Sequence, residues 1–126
     1  MDPISLIVAA LAAGAAAELK GMAGEVVKDS FTALKTLVRR RLRGDPAAEA
    51  DLGHLARDPD ADTSAFKQRL VAAGADADET LLRQAIDLLA RLDPQGARAG
   101  KYDVKVTGGK GVVVGDGASV TMNFND

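Results

Sequence analysis

The stretch EVVKDSFTALKTLVRRRLRGDP, residues 25–46, decides the fold class. Val27, Phe31, Leu34 and Val38 recur at steps of four, three and four residues, the spacing that lines side chains along one face of an α-helix. Arg39, Arg40, Arg41 and Arg43 then place cations at the negative end of the helix dipole. Gly44, Asp45 and Pro46 come next as a stop and a capped restart. A helix with one apolar stripe and marked ends needs other helices to cover the stripe.

Those partners are legible on both sides. Toward the amino terminus, Asp2 and Pro3 form a good helix start, and a helix is predicted from Pro3 to Leu19. Ile4, Ile7, Val8 and Leu11 give it a stripe, but alanine covers most of the rest and the first charge is Glu18, so it has no clear polar face. Toward the carboxyl terminus, three shorter helices start near Pro46, Ser64 and Asp78. They supply Leu52 and Leu55, then Phe66, Leu70 and Val71, then Leu81, Leu82, Ile86, Leu88 and Leu89. About five antiparallel helices with short loops predict a small bundle over residues 1–92.

After Leu92 the helical periodicity stops. Residues 93–100, DPQGARAG, read as a flexible linker. In 101–126, Tyr102, Val104 and Val106 alternate with polar residues, as do Val120, Met122 and Phe124. Val112, Val113 and Val114 form an apolar β-branched run between glycine-rich corners. Three short strands with two turns are expected, so the fold class is mainly α, with a short β-prone, amyloid-like tail.

Composition narrows the functions. The chain has 126 residues, 27% charged and 47% hydrophobic, which suits one folded domain and argues against wholesale disorder. Its net charge of −2 gives no general pull toward nucleic acid, and a single tyrosine with no tryptophan offers no stacking platform, so nucleic-acid binding is not expected. Absence of cysteine removes disulfides and thiolate sites and fits a cytoplasmic protein. Asp2 stands where a signal peptide carries positive charge, which argues against secretion. As a helix, Ile4 to Ala17 is about 21 Å long, short of the roughly 30 Å hydrocarbon thickness of a bilayer.

A search for chemistry yields no catalytic, cofactor or metal site. His54 is the sole histidine and reads as an ordinary helical residue. The serines lack a nucleophile-elbow context, and the carboxylates read as caps and solvated faces. The glycines from Gly108 to Gly117 fail as a phosphate loop, because Gly111 stands where Ser or Thr is required after Lys110. A non-enzymatic role is the expectation. Arg39, Arg40, Arg41 and Arg43 are candidate contacts for lipid headgroups, or simply a solvated helix end.

Two segments stand out. The first helix is either the core helix of a small bundle or an element released to insert into membrane, with Ile4, Leu6, Ile7, Val8 and Leu11 as the inserting side chains. The tail is either a meander folded over the bundle or a segment that stacks in register with identical copies. In the second case the valines form a dry interface, and Asn123 and Asn125 form ladders.

Together these features resemble a known arrangement. The start MDPISLIVAALAAGAAAELKG, the helix end RRRLRGDP and the passage GADADE resemble bacterial Bell domains, counterparts of the fungal HeLo domains that execute cell death at membranes. The tail is similar to bacterial amyloid signalling motifs related to the RHIM. Val112, Val113, Val114 and Gly115 match its centre, the Asp116, Gly117 turn and Val120, Thr121, Asn123 and Phe124 match the stretch on its C-terminal side, and Met122 is counted with the motif. Val113 stands where many such motifs carry glutamine, and Ala118 where asparagine is frequent, which lowers the capacity for side-chain ladders. The resemblance implies a programmed-cell-death effector of bacterial immunity and antiphage defence. Its partners would be further copies of itself and a nucleotide-binding immune-type receptor bearing a similar motif. Such a protein is cytoplasmic at rest and membrane-associated on activation, when it forms pores or otherwise disrupts the bilayer.

Overall fold

All four prolines of the chain follow an aspartate, and three of these pairs start helices. The computed structural model describes residues 2–102. Within them lie α1 (Pro3–Leu19), α2 (Glu25–Arg41), α3 (Pro46–Arg57), α4 (Ser64–Ala72), a 3-10 turn (Ala75–Ala77), α5 (Glu79–Leu92) and α6 (Pro94–Arg98). Asp2 accepts from the Ser5 N–H at 3.3 Å, Asp45 from Ala48 at 3.1 Å and Asp93 from Gly96 at 3.0 Å. In each, the aspartate satisfies an N–H that the first turn leaves free, and proline takes a position where no N–H is needed. Asp78 caps α5 in the same way through Leu81. The fourth pair, Asp58-Pro59, directly follows α3 and opens the loop to α4 instead.

The bundle is organised around α1, which packs against α2, α3, α4 and α5. Contact with four helices explains its composition: most of its circumference is buried, and the half-buried remainder is mostly alanine. Ile4, Leu6, Ile7, Val8, Ala10, Leu11 and Ala15 are all buried. At Gly14 the approach is so close that a Cβ would stand 2.6 Å from Phe31 Cδ1 and 3.1 Å from Leu88 Cδ2, which fixes the level at which α1, α2 and α5 meet.

Cross-links between helices set their directions. Ser30 on α2 meets Gln84 and Asp87 on α5, while Arg41 at the other end of α2 meets Asp78 at the start of α5. These helices are therefore antiparallel. Since α1 returns into α2 through the short turn 20–24, α1 and α5 run the same way side by side, so the expected all-antiparallel arrangement holds only for part of the bundle.

Most of the expected core is where periodicity places it: Phe31, Leu34, Val38, Leu52, Leu55, Phe66, Leu70, Leu81, Leu82, Leu88 and Leu89 are buried. Val71 is not, being 53% exposed, because Phe66 and Leu70 define the inner face of the short α4 and the next residue turns away from it. A second correction concerns residues 93–100. Instead of a flexible linker they hold α6, a sixth helix packed on α5, because Asp93-Pro94 acts as cap and first turn just as the pairs at 2–3 and 45–46 do. Tyr102, expected to begin a strand, lies buried in the turn after α6. No strand occurs among the described residues. The strands expected across 103–126, with Val104, Val106, Val112 to Val114, Val120, Met122 and Phe124, lie outside them.

Candidate functional site

Three features of the fold bear on function: the buried first helix, the arginine-rich end of α2 and the point where the tail leaves the bundle. The five side chains proposed for insertion are the inner wall of the protein, with Leu6 and Ile7 fully buried and Ile4, Val8 and Leu11 between 1% and 6% exposed. Burying each is worth roughly 1.5–3 kcal/mol, so removing all five from their partners costs about 8–15 kcal/mol, as much as the whole stability of a typical domain. Exposing α1 to water therefore costs about as much as unfolding a domain of this size. No helix among the described residues is long and apolar enough to cross a membrane.

The four arginines divide into two kinds. Arg41 is structural: Nη2 and Nε donate to Asp78 Oδ2 at 2.8 and 3.2 Å, and Nη1 reaches the Ala73 carbonyl at 3.4 Å. Burial raises the Asp78 carboxyl, but Arg41 and the capped Leu81 N–H outweigh it and hold the group below its ordinary range. Arg39, Arg40 and Arg43 are exposed and make no ion pair among the described residues. Beside Arg40 lies an open groove of about 260 Å³ lined by Leu37, Arg40, Arg41, Ala73 and Asp78. Lacking a deep floor or a convergent acid and base, it has the character of a charged surface hollow.

Sequence reading missed the third feature. Tyr102 folds back so that its hydroxyl donates to Asp93 Oδ2 at 2.8 Å, while Lys101 Nζ stands 3.6 Å from the same oxygen. The Tyr102 hydrogen bond, together with the Gly96 N–H and Lys101, holds Asp93 below the ordinary carboxylate range. Burial and the facing carboxylate push the phenol up to about 12. A Schellman turn positions the residue: Gly100 (φ +80°) lets Lys101 N–H reach the Gly96 carbonyl at 2.9 Å. The signal that could have found this post is the Asp93-Pro94 pair.

Ser30 was also missed. It is buried, donates to Asp87 at 2.9 Å and accepts from Gln84 at 3.0 Å, tying α2 to α5. His54 is exposed beside a cleft of about 30 Å³, and no group of three metal-ligating side chains gathers among the described residues. The positions proposed for the amyloid motif, Val112 to Phe124, lie outside those residues.

The described residues thus define a small all-α domain built around one predominantly apolar helix. The chain matches the Het-E N-terminal domain family over residues 1–125 and belongs to that family. The match supports a domain of the cell-death-effector type, in agreement with the Bell and HeLo-like resemblance, and does not single out a RHIM-related motif. No curated protein and no solved structure matches the chain.

Proposed function

We propose that this chain is an amyloid-controlled cell-death effector that self-assembles through residues 101–126 and disrupts membranes through α1. The observation that carries the reading is α1 itself, a helix without a polar face at the centre of a family member of effector type. Its partners are further copies of the chain and a receptor with a similar motif, of the nucleotide-binding immune type, that templates the tail. The protein waits in the cytoplasm and reaches the membrane on activation, without enzymatic chemistry. Arg39, Arg40 and Arg43 then meet anionic headgroups, each worth about 1 kcal/mol near such a surface.

Geometry supplies a driving force for release. Chains stacked in register repeat every 4.7–4.8 Å, whereas a single helix with its side chains is about 10–12 Å wide. Bundles tied closely to every rung of a fibre cannot all remain folded beside one another. Crowding therefore opposes the bundle at the moment the tail assembles, and the about 8–15 kcal/mol that confines α1 is offset by the gain along the fibre.

Leakage from anionic vesicles, measured with full chain seeded by preformed fibres of residues 101–126, tests the membrane step. Leu6→Asp is uninformative because it unfolds the resting bundle. Ala9→Lys is preferable: Ala9 is half-buried, so a lysine can reach solvent, yet at the centre of an inserted helix it costs about 3 kcal/mol. Strong leakage from the wild type and little from Ala9→Lys is expected. Equal leakage from both would reject α1 as the inserting element.

A second reading, a soluble adaptor that uses the tail for homotypic recruitment, is favoured by the depth at which the five inserting residues are buried. It predicts fibres with folded bundles and intact vesicles.

A further inference from the structure

Among the described residues, three of the four exposed large apolar side chains gather at one end of the bundle: Leu19 at 61%, Met22 at 74% and Val26 at 57%. Leu19 closes α1, Met22 lies in the turn and Val26 belongs to the first turn of α2. The face is held in shape. Met22 N–H donates to the Ala17 carbonyl at 2.8 Å and Gly21 N–H to Glu18 at 3.1 Å, the paired bonds of a Schellman turn.

The tail leaves from this same end. Gly14, Phe31 and Leu88 meet at one level. Leu19, Val26 and Asp93 each lie five residues beyond it in the same direction, about 7.5 Å further along the axis. Tyr102 is bonded to Asp93, so the last described residue lies at the same end of the bundle as the apolar face. Ten extended residues reach about 33 Å, enough to bring Val112 across the end of the bundle, and a tether this short gives an effective concentration in the millimolar range.

The rim indicates what kind of occupant fits. Glu18 and Glu25 alternate with Lys20 and Lys28, so the surroundings are balanced and lack the one-signed charge that an anionic bilayer would select. The basic surface lies at the opposite end, about 22 Å away along α2. An uncharged apolar segment suits the face better.

We propose that Leu19, Met22 and Val26 form a docking face for Val112, Val113 and Val114 of the same chain. Docking stands on the geometry alone; its consequence, that the bundle shelters the assembly-prone run until a template displaces it, rests on the function proposed above.

The chain has no cysteine, so an engineered pair reports directly. Full-length Met22→Cys/Val113→Cys is oxidised mildly at low concentration beside Val71→Cys/Val113→Cys, whose Val71 lies toward the arginine end. An intramolecular disulfide forming at least roughly tenfold faster in the Met22 pair is expected. Equal rates overturn docking, and so does a predominantly dimeric product, which would assign the face to a second copy. Co-sedimentation with anionic vesicles that is lost in Met22→Ser would assign it to lipid instead, which also overturns docking. In a parallel arm, Met22→Ser/Val26→Thr should shorten the lag of fibre formation about tenfold, because more of the tail is free. An unchanged lag overturns the sheltering role. Should the wild type form no fibres at all, the proposed function fails while the disulfide rates still decide docking.

Discussion

Gly14→Ala should destabilise the protein although alanine is the better helix former. In an exposed helix the exchange gains about 1 kcal/mol. Here the added methyl would stand 2.6 and 2.9 Å from two ring carbons of Phe31 and 3.1 Å from Leu88, where ordinary contacts begin near 3.4 Å. Phe31 is only 1% exposed and Leu88 is fully buried, so neither can move without disturbing the seam of three helices. Overpacking of this kind costs about 1–3 kcal/mol, and the rigidity of the ring argues for the upper half. Subtracting the propensity gain leaves about 1–2 kcal/mol of net loss, or a Tm lower by about 5–15 °C for a domain of this size. Gly53→Ala is the control, since its methyl meets only the flexible end of Arg57 at 3.7 Å, and it should raise stability by up to about 1 kcal/mol. Urea unfolding of the full chain followed by circular dichroism measures both. Phe31→Leu in the Gly14→Ala background should recover part of the loss relative to its effect alone. Gly14→Ala as stable as Gly53→Ala, or no coupling with Phe31, would refute the close packing of α1 on α2 and α5.

Asp78→Ala removes a helix cap and the partner of Arg41 together, and should cost about 1–2 kcal/mol in urea unfolding, against less than 1 kcal/mol for Arg41→Ala. Asp2, Asp62, Asp78 and Asp93 all titrate below the unfolded value of 3.8, so the stability they contribute is complete above that pH and lost as pH falls beneath it. An acid titration of Tm should decline there, less steeply in Asp78→Asn. Tyr102, raised from 10.0 to about 12, favours folding below pH 10 and loses that contribution as pH rises to about 12. As the sole tyrosine it can be followed by phenolate absorbance, and Asp93→Asn should bring its titration back toward 10. Finally, a Gly/Ser insert of about 30 residues after Tyr102 should relieve crowding along the fibre, leaving fibres intact and abolishing vesicle leakage. Undiminished leakage would remove crowding from the mechanism.

Why some elements were legible and others not comes down to which interactions are local. The stripe Val27, Phe31, Leu34 and Val38 and the restart Gly44-Asp45-Pro46 are written in neighbouring residues, and α2 and α3 follow them closely. The pair Asp93-Pro94 carries the same local signal as Asp2-Pro3 and Asp45-Pro46, but Gly96 and Gly100 nearby invite a linker reading. Burial of Tyr102 and its bond to Asp93 add to the cap a contact that composition does not display. Likewise, the lack of a polar face on α1 is plain in the sequence, whereas its central position depends on α3, α4 and α5, drawn from residues 46–92. Ser30 and Arg41 found their partners 57 and 37 positions away. The arginine run was legible as charge, but its division into one structural and three solvent-facing side chains was set by where Asp78 arrives.

The side-by-side pairing of α1 with α5 also sets an order of events during synthesis. α1 is complete once Leu19 has been added, but its principal partner is not finished until Leu92. At about 5–20 residues per second the ribosome needs roughly 4–15 s to cover that interval. Throughout it, the most apolar helix of the chain exists without the surface made to cover it, and chaperones and membranes compete for it before the fold does.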